Sequence, residues 1–227
     1  MRKAVEAYQR ALEVRTREHL PGPWAETHQK LAEAYVALED WPKAATSYAN
    51  VIQVYPDDER AYKTASLLYH ERLFEFPQAF ALHQRWLERH PDDLSALSDL
   101  AETHLTAGRS ATCEERIADL LAKSALESGL NIRLRAIEIT CLLALDNTAP
   151  IPGKIDTLLQ LIADQGEDFR VGKTFNGTKY FINHNEQLAP YRPWLLQFFS
   201  ALEGEDRHSL LVALQAAQAN VQAAMKQ

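Results

Sequence analysis

One motif returns along this chain at nearly constant spacing, and it constrains the fold more than any other feature. Ala44-x3-Tyr48-x2-Val51-Ile52-x3-Pro56 is followed by Ala79-x3-His83-x2-Trp86-Leu87-x3-Pro91 and then by Cys113-x3-Ile117-x2-Leu120-Leu121. The anchors Ala44, Ala79 and Cys113 lie 35 and then 34 residues apart, and a half copy stands at the start as Ala4-x3-Tyr8-x2-Ala11-Leu12. Steps of three and four residues return to one side of a helix, so each copy reads as one apolar helix face. A period in this range points to helix pairs stacked as a solenoid, because a single unit of this size cannot bury its own apolar face. Such arrays present surface, so the expectation is binding and not catalysis.

A second helical pattern precedes each copy: Leu31-Ala32-x2-Tyr35, Ala65-Ser66-x2-Tyr69 and Leu100-Ala101-x2-His104, the last followed by Gly108. Small residues at Ala32, Ser66 and Ala101 let two helix backbones approach, while Tyr35, Tyr48, Trp86 and Leu100 fill the space between neighbours. Pro56-Asp57-Asp58 and Pro91-Asp92-Asp93 end one pair and place acids at the start of the next helix, where they complement its positive end.

This order of small, aromatic and proline positions resembles the tetratricopeptide repeat (TPR) family over roughly residues 1–125. The resemblance implies an all-α fold: antiparallel helix pairs in a right-handed superhelix, the first helix of each pair lining a concave groove. Residues 1–18 then form a half repeat, the second helix of a pair, and 24–126 three repeats. The stretch from Ala7-Tyr8-Gln9-Arg10-Ala11-Leu12-Glu13-Val14 through Trp24-Ala25-x2-His28-x2-Leu31-Ala32-x2-Tyr35 also looks like the longer TPR variant of large bacterial multidomain proteins, and the 40-residue spacing from Ala4 to Ala44 fits an extended link at His19-Leu20-Pro21-Gly22-Pro23. After Cys113 the pattern decays. Leu134, Ile137, Cys141 and Leu145 still make one apolar face, Pro150-Ile151-Pro152-Gly153 breaks it, and Ile155, Leu158, Leu159 and Ile162 make the next. Residues 127–165 are therefore expected to be a degenerate fourth pair. Residues 166–227 are expected to be a loop or hairpin with two capping helices, about 193–202 and 206–225. Within 171–182 two readings stand: a short hairpin around Asn176-Gly177, or a helix starting at Thr178 as N-cap and carrying Phe181 and Ile182.

Charge and composition narrow the class. Hydrophobic residues make up 46% and charged residues 24% of 227, ordinary for a folded domain, and only 8 are Gly, which favours helices. The formal net charge of -7, with Lys and Arg scattered among acids, argues against a nucleic-acid partner. No run approaches the ~20 apolar residues of a membrane span, and Met1-Arg2-Lys3-Ala4-Val5-Glu6 lacks the apolar core of a signal peptide. The expected setting is a reducing cytoplasm. Cys113 and Cys141 fall on apolar faces as small buried residues, without metal spacing. Asn176-Gly177-Thr178 spells a glycosylation sequon, expected here to be a turn.

Residue patterns for catalysis or cofactors are weak. Gly166-x5-Gly172-Lys173-Thr174 has one residue too many for a phosphate-cradling loop, and a helical pattern precedes it where a strand is needed. The 8 histidines include no zinc pair; His83 and His104 stand at aromatic core positions, and His70 stands on the groove side. Asp57-Asp58 and Asp92-Asp93 are helix-start residues, not a catalytic dyad. No nucleophile elbow occurs, so no enzyme, cofactor or metal is expected.

The TPR resemblance assigns the groove lining to Gln29 and Glu33, then Lys63, Leu67 and His70, then Ser98 and Glu102, with Arg135 continuing the row. TPR domains that capture C-terminal carboxylates carry a Lys and an Asn where this chain has Gln29 and Glu33, so that activity is not implied. A lining of mixed sign suits a protein or peptide with both charges. The expected function is protein–protein interaction. The alternative is the sensor or regulatory part of a larger bacterial signalling or defence protein whose catalytic domain lies elsewhere. A weaker reading is an enzyme within 166–227 that uses Lys173 or His184. The half repeat lacks a first helix, so self-association or contact with a preceding domain is expected at that end.

Overall fold

The computed structural model describes residues 1–123, 126–166, 169, 171, 173–204 and 207–224, with backbone alone for 220–224. Every regular element among them is helical. The chain divides into two compact units, residues 1–96 and 97–227.

Unit 1 holds α1 (Arg2–Val14), α2 (Pro21–Val36), α3 (Trp41–Ile52), α4 (Glu59–Leu67) and α5 (Phe76–Leu87). Proline at the first helical turn of α2, α3 and α5 sets φ without losing an intrahelical hydrogen bond. The Pro-Asp-Asp corners do two jobs. Asp58 accepts the Ala61 N–H at 2.9 Å and Asp93 accepts that of Ala96 at 3.0 Å, so the second acid caps the next helix. The first acid of the first corner, Asp57, takes two hydrogen bonds of 2.7 Å from Arg89.

α2 packs on α1 and α3, α3 on α4, and α4 on α5. Where they meet, Ala32, Ala44, Ala45, Ala65 and Ala79 are fully buried, and Tyr35, Tyr48, Tyr62 and Trp86 fill the gaps. Tyr62 stacks on Trp86 at 4.4 Å and its hydroxyl lies 2.6 Å from Nδ1 of buried His83, which occupies the aromatic position expected of it. The half copy is the helix α1: Val5 is buried, and Tyr8 and Leu12 lie partly buried against the same core.

α6 (Leu94–Thr106) runs across the division between the units. Unit 2 continues with α7 (Ser110–Leu121), α8 (Ser128–Ala144), α9 (Ile151–Ala163), α10 (Asn176–His184), α11 (Arg192–Glu203) and α12 (Arg207–Ala224). α8 is its centre, packed by α7, α9 and the 3-10 turn Glu186–Leu188. The single apolar face expected of it is corrected here. Ile132, Ala136, Ile139 and Leu143 are buried as fully as Leu134, Ile137 and Cys141, whereas Leu145 lies past the helix and is 43% exposed. A helix covered on several sides has no solvent stripe for periodicity to detect. Cys113 and Cys141 are free and buried, and burial, with Cys113 alongside, raises the Cys141 thiol pKa.

Residues 176–184 decide between the two readings of that region. They form helix α10, and no strand stands among the described residues. The helix begins two residues before Thr178, which therefore lies in its first turn and is not its cap. α12 packs on α9 and α11 through Leu210, Ala213, Leu214 and Ala217. Of the 206–225 helix expected from the sequence, Asp206 and Met225 lie outside the described residues, as do the side chains of Val221 and Ala224.

α2, α4, α6 and α8 end alike. Glu39, Phe74, Gly108 and Asp146 take left-handed φ angles of 57°, 54°, 77° and 58°. The next amide returns to the helix: Asp40 N–H to Tyr35 O at 2.9 Å, Arg109 N–H to His104 O at 2.8 Å, Asn147 N–H to Leu142 O at 2.9 Å. After Phe74 the bond runs one residue further back, from Glu75 N–H to Tyr69 O at 2.9 Å, because α4 is prolonged by a π-helical turn, Leu68–Arg72. That turn takes up one extra residue, which accounts for a 35-residue step between Ala44 and Ala79 where the next step is 34.

Candidate functional site

The expected groove residues fall on both units. In unit 1, Gln29 and Glu33 on α2 are half-buried and Lys63 and Leu67 on α4 are exposed, with Leu67 at 39%. Glu33 meets Arg60 of α4 at 3.3 Å and Lys30 of its own helix at 3.7 Å, and Lys63 meets Glu59 at 2.5 Å. The Glu33–Arg60 pair shows that the polar sides of α2 and α4 adjoin, although α3 separates the two in sequence. Tyr48 of α3 lies beside both groups, and burial raises its phenol pKa while Arg60 opposes the rise.

His70 is not on this face. It is 3% exposed, as is Glu71 at 2%, and its ring lies 6.4 Å from Phe76. In an unbroken helix His70 would follow Lys63 and Leu67 along one side. The π-turn adds a residue per turn at that point, so the phase slips and His70 points inward.

In unit 2, Arg135 is half-buried and its Nε donates to Asn131 at 2.9 Å. Ser98 and Glu102 do not line open surface: both are 0% exposed. Glu102 is covered by the chain that follows α9. Lys173 Nζ donates to its Oε2 at 2.9 Å and Thr178 Oγ to its Oε1 at 2.6 Å. The same ammonium donates to Asp99 Oδ1 at 2.6 Å, and Arg133 Nη1 of α8 lies 3.2 Å from that oxygen. Two cations and two carboxylates thus close on one another. Burial and Arg133 both work to lower the Lys173 pKa, but Asp99 and Glu102 outweigh them and hold it raised.

This geometry defines what the cluster does chemically. Lys173 keeps its proton and spends its donors on carboxylates, so its ammonium is not aimed at a phosphate; Gly172 of the same motif lies outside the described residues. Thr178 of the sequon is fully buried. His184, the other residue of the weaker enzymatic reading, is exposed, with its ring tilted against that of Tyr180 at 4.1 Å.

The sequence places Glu102 in the groove, Lys173 in the weaker enzymatic reading and Thr178 at a helix start; it singles out neither Asp99 nor Arg133, and it joins none of these residues to another. Asp99 stands one turn before Glu102 and shares its side of α6, a legible signal. The pairing of Lys173 carries no such signal, because its partners are 74 and 71 positions away. Among the described residues, no helix is long and apolar enough to cross a membrane. Compared with known protein families and with curated proteins, the chain matches none.

Proposed function

We propose that this chain is a TPR-like protein-interaction module, a non-catalytic scaffold that holds a peptide or protein domain on the face shared by α2 and α4. The observation that carries the reading is the Glu33–Arg60 pair, which sets the polar sides of α2 and α4 side by side, next to the exposed Leu67 and Lys63. An apolar contact flanked by both charge signs suits a peptide segment with an apolar anchor and mixed charges. The repeated left-handed turn after α2, α4, α6 and α8 supports a repeat origin for these helices. Recognition needs no chemistry, only a surface held rigid by the buried Ala and Tyr contacts beneath it.

The test is affinity capture from source cells with the full chain, comparing wild type with a Glu33→Arg, Lys63→Glu, Leu67→Ser variant. All three side chains reach solvent, so the variant is expected to keep its Tm while losing the captured protein. A partner that survives the triple change would remove the face from the reading.

A further inference from the structure

A second surface lies on unit 2, where α6 meets α7. Leu97 of α6 and Leu120 of α7 floor a notch of about 210 Å³, rimmed by Arg116, Asp119 and Lys123. Leu120 is buried and Leu97 half-buried, whereas the three rim residues are exposed. Small-molecule sites commonly measure roughly 300–1,000 Å³, so a notch of this size takes one anchoring side chain and not a whole metabolite.

The rim is electrically unfinished. Arg116 stands on α7 and Lys123 two residues past its end, and both line the notch. Neither makes an ion pair among the described residues. Arg109 stands seven residues before Arg116. Beneath them, burial first, and then Arg116 and Arg109, lower the pKa of His104 to about 4, so the imidazole adds no charge of its own at neutral pH. Asp119 is the acceptor on the rim. A carboxylate there can accept from an N–H donor, which a peptide backbone supplies.

We propose that this notch docks an acidic peptide: an apolar side chain on Leu97 and Leu120, a carboxylate between Arg116 and Lys123, and a backbone N–H on Asp119. The surface is independent of the face of α2 and α4, and either can fail without the other.

The experiment is fluorescence anisotropy on the full chain with a labelled nonapeptide of Asp, Glu and Leu. Saturable binding is expected, weakening with salt because the charges are exposed. Arg116→Glu and Lys123→Glu should each weaken it by about tenfold or more with an unchanged circular dichroism spectrum, and the charge-neutral Arg116→Gln should weaken it less. Lys63→Glu should leave it unchanged. The proposal is overturned by absence of binding, by equal affinity in Arg116→Glu, or by loss in Lys63→Glu, which would move the peptide to unit 1. It is equally overturned if a peptide with Ser for every Leu binds as well, or if inorganic phosphate displaces the ligand at matched concentration, since either shows a site that reads charge alone.

Discussion

Individual charges in this protein differ in consequence because they differ in burial. Glu33–Arg60 is largely in water, so breaking it should change stability by no more than about 1 kcal/mol. Glu102 is fully buried, and Lys173→Met would remove the ammonium that pairs with it, whereas Asp99 would keep Arg133. The expected loss is about 3–5 kcal/mol by urea unfolding, with most of it regained in the double variant Lys173→Met, Glu102→Gln. A regain near zero would show that the loss does not come from the Glu102 carboxylate. His104 supplies a pH signature. In the folded chain it stays neutral down to about pH 4, whereas unfolded it takes a proton near 6.5. The unfolded chain binds more protons between those values, so stability should fall by about 1–3 kcal/mol as the pH drops through that window and level off below it. His104→Phe should remove that part of the slope in urea melts at stepped pH.

Helices here are set by local chemistry that the sequence spells out. The alanines of the repeated motif are fully buried where neighbouring helices meet, so Ala44→Leu or Ala79→Leu should cost about 1–3 kcal/mol through overpacking. The left-handed turns make a sharper test. Gly108 has φ of 77° with nothing near an added Cβ, so Gly108→Ala should cost about 1 kcal/mol from conformation alone. Glu39 holds the same conformation without being glycine, and Glu39→Gly should be neutral or stabilising in the same assay. Opposite signs at these two equivalent positions would tie both helix ends to one turn. Motif spacing located α2 to α7 because each has one wet side and one buried side. It could not describe α8, whose apolar and polar residues alike are enclosed, nor the π-turn, which a count of 35 hints at but does not place.

For the whole molecule, a helical circular dichroism spectrum is expected, and a strand-dominated one would contradict the fold. Binding rests on surface the chain leaves open, and there the sequence reading was uneven. Gln29, Glu33, Lys63 and Leu67 stand at the water side of unit 1, while His70, Ser98 and Glu102 do not. The reason is the same in each case: helical phase predicts a side but not what later covers it. By itself the sequence determined the helices of the repeated motif, the alanine contacts, the Pro-Asp-Asp corners and the 34- to 35-residue step, all of which depend on neighbours within a few turns. Tertiary structure alone decided that Glu102 faces Lys173 and Thr178, that α8 is enclosed, and that Arg116 and Lys123 stay open. Contacts across more than 70 residues leave no periodic trace, and burial depends on what the rest of the chain brings into place.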